Sequence, residues 1–204
     1  MKKRYFYRFI KRTMDIFFSL LGLIILSPVF LITAICIKLD SPGPAIFRQD
    51  RAGKNGKLFV VYKFRTMTID ADEKRLKSKA FKNSTGPIKV TKDDKRITRL
   101  GKILRSTTID ELPQLVNVLI GNMSIVGPRP FAMYEHERLS DYQKQRTLVK
   151  PGLTCYWQVY GRHLVDPDTR IELDIKYTKK QGLLVDTALF FMTFPALITR
   201  RGAF

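Results

Sequence analysis

An uncharged apolar run near the N-terminus constrains this chain more than any other feature. The run extends over 22 residues, from Ile16 to Ile37, and as a helix it would be about 33 Å long, enough to cross a hydrocarbon core. Ser27 and Pro28 stand at its middle. Proline removes an intrahelical hydrogen bond and clashes with the preceding turn. We therefore expect a break there, with the Ser27 hydroxyl or neighbouring groups satisfying the freed carbonyls.

The charges on either side of the run favour a re-entrant helix over a span. Six basic residues and no acid occur in residues 2–12, and five more basic residues follow from Lys38 to Lys57. Basic flanks are typical of the cytoplasmic side of a membrane, and a single crossing cannot place both flanks on one side. The sequence therefore predicts a helix that enters the membrane, breaks at Ser27-Pro28 and returns. A signal anchor with a tolerated proline is the alternative.

The net charge indicates a polyanionic partner. The 204 residues include 37 Lys and Arg against 18 Asp and Glu, which gives a formal charge of +19. Nucleic acid, an anionic membrane surface and phosphorylated substrates all fit this charge. A hydrophobic share of 45% excludes wholesale disorder. Two cysteines, Cys36 and Cys155, exclude a disulfide framework.

Periodicity and turn residues predict an α+β fold that is rich in helix and has one short β-hairpin. The hairpin is expected from Ala45–Gln49 and Leu58–Phe64. A polar stretch from Asp70 to about Lys92 indicates a helical turn followed by a mobile loop. Helices are expected around Ile97–Leu104, at Leu112–Leu119 with a stop at Gly121, at Tyr134–Val149 and at Arg170–Lys180. An apolar stretch, Leu183–Ile198, fits either an interfacial helix or a core helix.

The adjacent carboxylates of Asp110 and Glu111 are the densest chemical signal. Pro113 is tolerated only in the first turn of a helix, so the pair stands at a helix N-terminus. One interpretation is structural, because Thr108 and Glu111 have the spacing of a capping box. The other is chemical. A helix N-terminus attracts phosphate, and an ionised Asp110 beside Arg105 could bind a divalent cation or attack phosphorus.

Basic residues in rigid turns supply the matching half of a phosphate site. Lys63 and Arg65 stand at the end of a predicted strand, Arg129 lies between two prolines, and Arg162 follows a glycine. Arginine at fixed backbone geometry suits bidentate recognition of phosphate. These four residues are therefore candidate phosphate ligands.

Five ordered segments carry a family resemblance that covers almost the whole chain. They are Ser41-Pro42-Gly43-Pro44 with Phe47-Arg48-Gln49, Tyr62–Met67, Asp110–Leu115, Val126–Pro130 and Trp157–Arg162. Together they resemble the bacterial sugar transferases, the monotopic polyprenyl-phosphate phosphoglycosyl transferases. The resemblance implies a re-entrant membrane helix broken at the Ser-Pro pair, which agrees with the charges that flank the apolar run.

The resemblance also implies the chemistry. Asp110 matches the family nucleophile, which would attack the β-phosphate of a UDP-sugar, expel UMP and hold the phosphosugar. Magnesium is the implied cofactor, with Asp110 as one ligand. Glu111 would orient the metal or assist attack by the acceptor. Arg105 and Arg129 match family arginines expected near phosphates.

The implied acceptor is undecaprenyl phosphate in the bacterial inner membrane, with the catalytic domain on the cytoplasmic face and in contact with membrane lipid. Residues 1–39 would form the basic interfacial segment and membrane helix, and residues 40–204 a cytosolic catalytic domain with interfacial helices. The expected product starts a capsule or exopolysaccharide glycan, and residues 151–158 resemble members that handle hexose 1-phosphates. Compared with longer members, the chain would be a minimal catalytic unit, and the sequence leaves oligomerisation open.

The rival hypothesis is a membrane-anchored basic protein that binds nucleic acid. Only the +19 charge motivates it. The sequence has no recognisable reading helix and no aromatic ribonucleoprotein motif, and the rival leaves Asp110-Glu111 and the broken apolar helix unexplained. We therefore expect no nucleic-acid partner.

Overall fold

The first forty residues form two helices that meet at the expected break. Helix α1 spans Lys2–Ile25 and helix α2 spans Ser27–Asp40 in this computed structural model, which describes residues 2–71, 94–161 and 165–199. The pair bends by 60°. Pro28 has no N–H to donate to the carbonyl of Ile24, and the Ser27 hydroxyl donates to that carbonyl instead, at 2.8 Å. The predicted break is confirmed, and the Ser27 hydroxyl compensates it as expected.

The bent pair is the one long apolar feature among the described residues. Within them, no single helix combines the length and hydropathy needed to cross a bilayer, whereas α1 and α2 together have both. Large apolar side chains are exposed along both helices. They include Phe17, Leu20, Ile24, Ile25, Leu31, Ile32 and Ile35.

A β-hairpin follows the helix pair. Strands β1 (Ile46–Ala52) and β2 (Leu58–Phe64) pair antiparallel, with Ile46 opposite Phe64. The connection passes through Asn55 at φ 56° and Gly56 at φ 72°, a left-handed conformation that these two residue types tolerate. The predicted hairpin is confirmed, and its first strand ends three residues later than expected.

The rest of the described chain is mainly short helices, which agrees with the predicted helix-rich α+β class. The polar stretch at 72–93, and Arg162 with its neighbours 163 and 164, lie outside the described residues. The remaining elements are α3 (Arg99–Thr107), a 3₁₀ turn (Ile109–Glu111), α4 (Gln114–Ile120), β3 (Ser124–Val126), α5 (Met133–His136), α6 (Asp141–Lys144), a 3₁₀ turn (Gln145–Leu148), β4 (Gly152–Thr154), α7 (Tyr156–Tyr160), α8 (Pro167–Lys180) and α9 (Leu183–Ile198). Strands β3 and β4 pair in parallel.

The single helix predicted over Tyr134–Val149 is wrong. Ser140 interrupts it, because its hydroxyl accepts a hydrogen bond from the Gln143 backbone N–H while the Gln143 side chain accepts one from the Ser140 N–H. This reciprocal pair is a capping box, and it starts a new helix, α6, at Asp141. A polar residue in the middle of the periodic pattern was the available signal.

The core alternative for α9 is confirmed for one of its faces, and the interfacial alternative stays a prediction. One face enters the core, where Leu189 is 2% exposed and Asp186 is buried. The other face leaves Leu184, Phe191 and Phe194 exposed. The Phe190 ring contacts the Phe18 ring of α1 at a centroid distance of 4.9 Å. The exposed apolar face of α9 therefore lies beside that of α1.

The polar face of α1 docks against the rest of the chain. The Arg12 guanidinium donates to the carbonyls of Val118 and Leu119, at 2.7 Å each, which caps the C-terminal end of α4. The buried Asp15 carboxylate accepts bonds from the Ser124 hydroxyl and the Ile125 N–H, at 2.9 Å each. These contacts hold α1 to the same body that carries the Asp110-Glu111 turn.

Lys11 connects α1 to the C-terminal part of the chain. Its ammonium lies 2.5 Å from the Asp186 carboxylate of α9 and donates to the Val126 carbonyl at 2.9 Å. The Tyr177 hydroxyl donates to the same Asp186 carboxylate at 2.6 Å. The two ends of the chain are therefore joined through one shared acid.

Candidate active site

The two predicted catalytic acids lie in the 3₁₀ turn between α3 and α4. Thr108 precedes the turn in a left-handed conformation, φ 63°, and its side chain caps nothing. Pro113 follows the turn as the N-cap residue of α4. The capping box that Thr108 and Glu111 could form is therefore absent, because a left-handed Thr108 cannot take the extended backbone of an N-cap. The purely structural interpretation of the dyad loses its main support.

Glu111 is held by two cations. The Arg129 guanidinium donates hydrogen bonds to both carboxylate oxygens of Glu111, and the Lys63 ammonium donates to Oε1 at 3.0 Å. Burial would raise the pKa of Glu111, but Arg129 and Lys63 outweigh it and hold the pKa well below its usual range. Glu111 is thus a fixed anion that orients both cations.

Asp110 differs from its neighbour in almost every respect. It is buried, and no side chain in the described parts of the chain donates a hydrogen bond to its carboxylate. Burial, followed by the charge of Glu111, raises the pKa of Asp110 to about 6, while Lys63, Arg105 and Arg129 oppose the rise. The two adjacent carboxylates are therefore suited to different roles. Arg129 and Lys63 bind Glu111, whereas no described side chain donates to Asp110.

Asp110 faces a cavity of about 660 Å³ at the junction of α2, the hairpin and α3. Among its described lining residues, seven are basic and only Asp110 is acidic. The basic residues are Lys38, Arg48, Arg51, Lys63, Arg65, Arg96 and Arg105. Such a cavity concentrates anions and is large enough for a phosphorylated small molecule.

Arg65 forms part of the cavity wall by holding the exit of α2. Its guanidinium donates to the carbonyls of Ser41, at 2.7 Å, and Pro42. Gly43 lets this loop pass over Arg65, because a Cβ there would lie within 2.7 Å of the Ile69 side chain and closer still to Arg65, at a backbone φ of 112°. Arg65 was predicted to bind phosphate, and in this structure its Nη1 and Nη2 donate to the loop.

The other predicted phosphate residues divide into two groups. Lys63 and Arg105 line the cavity with Asp110, and the Arg105 Nε donates to the Thr66 hydroxyl at 3.1 Å. Arg129 does not line the cavity and acts on it through Glu111. Arg162 lies outside the described residues.

An ion pair that sequence analysis missed contacts the backbone of Arg129. Arg146 and Asp174 are both almost completely buried, and the Arg146 guanidinium donates to the Asp174 carboxylate at 2.5 Å. The same Arg146 Nη2 donates to the backbone carbonyl of Arg129 at 2.6 Å. The Arg146 guanidinium also lies over the Phe131 ring. The sequence signal was Asp174, one of three acids in α8, and its pattern resembles that of a surface acid.

The residues present fit a magnesium ion that is shared with substrate, and they do not form a protein cage. In the described parts of the chain, no three His, Cys, Asp or Glu side chains converge on one point. Asp110 nevertheless offers a carboxylate oxygen that faces the cavity and accepts no hydrogen bond from the side chains that the structure describes. Magnesium commonly binds through one or two carboxylates plus substrate phosphates.

A buried carboxylate that faces a cation-lined cavity is an arrangement suited to a phosphorylated substrate. Comparisons with known proteins identify the family. A profile of the family described as bacterial sugar transferase matches residues 6–200. The chain is 43% identical to the undecaprenyl-phosphate galactose phosphotransferase of Salmonella typhimurium, over 97% of this chain and 42% of that protein. It is 41% identical to the exopolysaccharide production protein PSS of Rhizobium leguminosarum bv. phaseoli, over 96% of this chain and 98% of that protein.

A third relative is the UDP-glucose:undecaprenyl-phosphate glucose-1-phosphate transferase of Escherichia coli, with 39% identity over 91% of this chain and 39% of that protein. This chain spans less than half the length of the Salmonella and Escherichia relatives. It belongs to the bacterial sugar transferase family. The family resemblance drawn from the motifs is confirmed.

Proposed function

We propose that this enzyme transfers a hexose-type sugar 1-phosphate from a UDP-sugar to undecaprenyl phosphate. The observation that carries the proposal is the buried Asp110 carboxylate, which accepts no hydrogen bond from the described side chains and faces a cavity whose described lining includes seven basic residues. The Salmonella and Escherichia relatives are named for undecaprenyl phosphate and a hexose, and these names support the same donor and acceptor classes. No observation favours the nucleic-acid alternative, because the cations of the site line a concave cavity instead of a groove-reading surface.

In the first step, an Asp110 carboxylate oxygen attacks the β-phosphorus of the UDP-sugar. The new P–O bond forms as the bond from the β-phosphorus to the bridging oxygen breaks, and that oxygen leaves on UMP with its electron pair. Lys63 and Arg105 lie beside the reacting phosphate and offset its charge. Glu111 and Arg129 hold Lys63 in place.

In the second step, a phosphate oxygen of the acceptor attacks the same phosphorus. The aspartyl P–O bond breaks, Asp110 regains its carboxylate, and the sugar phosphate is joined to undecaprenyl phosphate as a diphosphate. Asp110 would hold magnesium during these steps, and a bound divalent ion offsets the repulsion between carboxylate and diphosphate.

The membrane arrangement is also part of the proposal. The exposed apolar faces of α1, α2 and α9 would enter the cytoplasmic leaflet of a bacterial inner membrane as a re-entrant pair and an interfacial helix. The acceptor phosphate lies at the depth of the headgroups, so the nucleophile has to lie there too. The cavity meets this need because it includes Lys38, in the last turn of α2.

The covalent mechanism is tested by UMP release from a panel of UDP-sugars, in nanodiscs with magnesium and without acceptor. We expect a burst of UMP equal to the amount of enzyme, and an intact-protein mass increased by one sugar phosphate, because the first step needs no acceptor. Release of UMP only when donor and undecaprenyl phosphate are both present, with no adduct, would contradict the covalent intermediate and indicate direct transfer.

The re-entrant topology is tested by single cysteines at positions 3 and 54, in a chain whose Cys36 and Cys155 are replaced by alanine. Both positions are expected to react with a membrane-impermeant maleimide from the same side of a sealed vesicle, because a broken helix returns to the side it entered. Labelling from opposite sides would show a spanning helix.

The same labelling tests the role of the proline. In Pro28→Ala, the Ile24 carbonyl regains a backbone donor and the bend loses its cause. We expect part of the population to label at positions 3 and 54 from opposite sides, with lower transfer activity. An unchanged labelling pattern would mean that the contacts of α1 and α2 with the domain maintain the bend.

A further inference from the structure

Helix α2 carries an exposed apolar stripe that ends in a lysine. Leu31, Ile35 and Lys38 are spaced i, i+4 and i+7, so they share one helix face. Leu31 is 64% exposed and Ile35 is 50% exposed, whereas the opposite face buries Thr33 and Ile37. The stripe is about 10 Å long. An apolar surface is thus followed directly by one cation.

The surrounding contacts place Lys38 at the wall of the Asp110 cavity. Lys38 lines this cavity, and so does Arg48 of β1. Ile37, the residue before Lys38, packs against Phe64 and Leu104 in the core. Three residues further on, the chain is held by Arg65 through the carbonyls of Ser41 and Pro42. The end of α2 is therefore fixed on both sides of the lysine.

We propose that Lys38 receives the phosphate of the lipid acceptor, whose hydrocarbon chain lies along Leu31 and Ile35. The inference rests on the proposed function. A polyprenyl phosphate has the same order of parts as the stripe, an apolar chain and then an anion. The phosphate would meet Lys38 at the cavity wall and continue towards Asp110 inside the same cavity. Charge-assisted contacts between ammonium and phosphate are among the stronger hydrogen bonds in proteins.

A lysine at the end of an apolar helix also has a simpler use. Its ammonium can extend to the headgroups of bulk anionic lipid. That use would help membrane attachment without recognising the acceptor. The two uses share one chemistry, a phosphate beside an ammonium, and they differ in whether the acceptor itself is bound.

Separate assays of the two half-reactions test the proposal in nanodiscs of neutral phosphatidylcholine. In Lys38→Ala, we expect the UMP burst from UDP-sugar alone to keep its rate and amplitude. The KM for undecaprenyl phosphate should rise about tenfold or more, because one charge-assisted contact is lost. The KM for the UDP-sugar and kcat should change much less. Lys38→Arg should restore most of the affinity.

Lys102→Ala is the matched control, since Lys102 is exposed on α3 and is not part of the cavity wall. It should leave both KM values unchanged. The proposal is overturned by an unchanged KM for undecaprenyl phosphate in Lys38→Ala, or by an equal loss of the burst, which would assign Lys38 to the donor. An effect present only in nanodiscs with anionic lipid would also overturn it.

Failure of the proposed function has a different signature. Wild-type enzyme would then release no UMP from any UDP-sugar, with or without undecaprenyl phosphate. If the wild type turns over without a burst, only the covalent step fails, and the steady-state KM for undecaprenyl phosphate still decides the role of Lys38.

Discussion

Replacement of Asp110 by asparagine is expected to abolish the UMP burst and the sugar-phosphate adduct, and to reduce steady-state transfer by a factor of about 10³ or more. Asparagine keeps the size of the side chain but loses the anionic oxygen that attacks phosphorus. Fold should be preserved, because the Asp110 carboxylate accepts no hydrogen bond from the described residues and its loss removes a buried charge. Thermal unfolding of the variant should therefore match or exceed that of the wild type.

The matched control for this variant is Asp168→Asn, on the exposed side of α8. It should retain the full burst. An Asp110→Asn enzyme that still formed the adduct would assign the nucleophile to another residue. Loss of transfer with an intact adduct would instead place Asp110 in the second step alone.

The second large effect is on stability and comes from Arg146. Arg146→Ala is expected to lower the free energy of unfolding by about 3–5 kcal/mol, because it leaves the buried Asp174 carboxylate without its partner. It also frees the Arg129 carbonyl and removes a cation from the Phe131 ring. The measurement is denaturant or thermal unfolding in detergent, followed through Trp157 fluorescence.

Two further variants make the Arg146 prediction specific. Arg99→Ala removes an exposed arginine from α3 and should change stability by less than about 0.5 kcal/mol. The double variant Arg146→Leu with Asp174→Leu removes both charges and should recover much of the loss, since paired removal leaves no buried charge. A double variant as unstable as Arg146→Ala would show that packing, and not charge, explains the effect.

The local features of this fold were predictable because short-range chemistry determines them. Pro28 cannot donate to the Ile24 carbonyl whatever surrounds it, so the break follows from the sequence alone. The hairpin is marked by alternating residues and by Asn55 and Gly56 at its turn. In each case, the residues that cause the feature are close together in the sequence, so local sequence was enough to predict it.

The partners within the site were not predictable in the same way. Lys63 and Glu111 are separated by 48 positions, and nothing in either motif states that they form an ion pair. The sequence does not distinguish the two adjacent acids. Tertiary packing places two cations against Glu111 and places Asp110 at the cavity. Arg129 was expected near a substrate phosphate, and in this structure its guanidinium contacts Glu111.

The burial of Asp174 was also not predictable from the sequence. An acid in a polar amphipathic helix has the pattern of a surface residue, and only the position of Arg146 makes burial tolerable. Compensation of a buried charge by a residue distant in the chain is not visible in the local sequence. Site residues of this kind become visible only when the fold has brought their elements together.

The docking of α1 has a mechanical consequence. A membrane helix joined to its domain by a loose linker can tilt when the bilayer becomes thicker or thinner. Helix α1 lacks this freedom, because Arg12 caps α4 and Asp15 binds the start of β3. In the membrane arrangement proposed above, a change of bilayer thickness must be absorbed by the lipid or by rotation of the whole enzyme. The height of Asp110 above the hydrocarbon would thus vary little from one membrane to another.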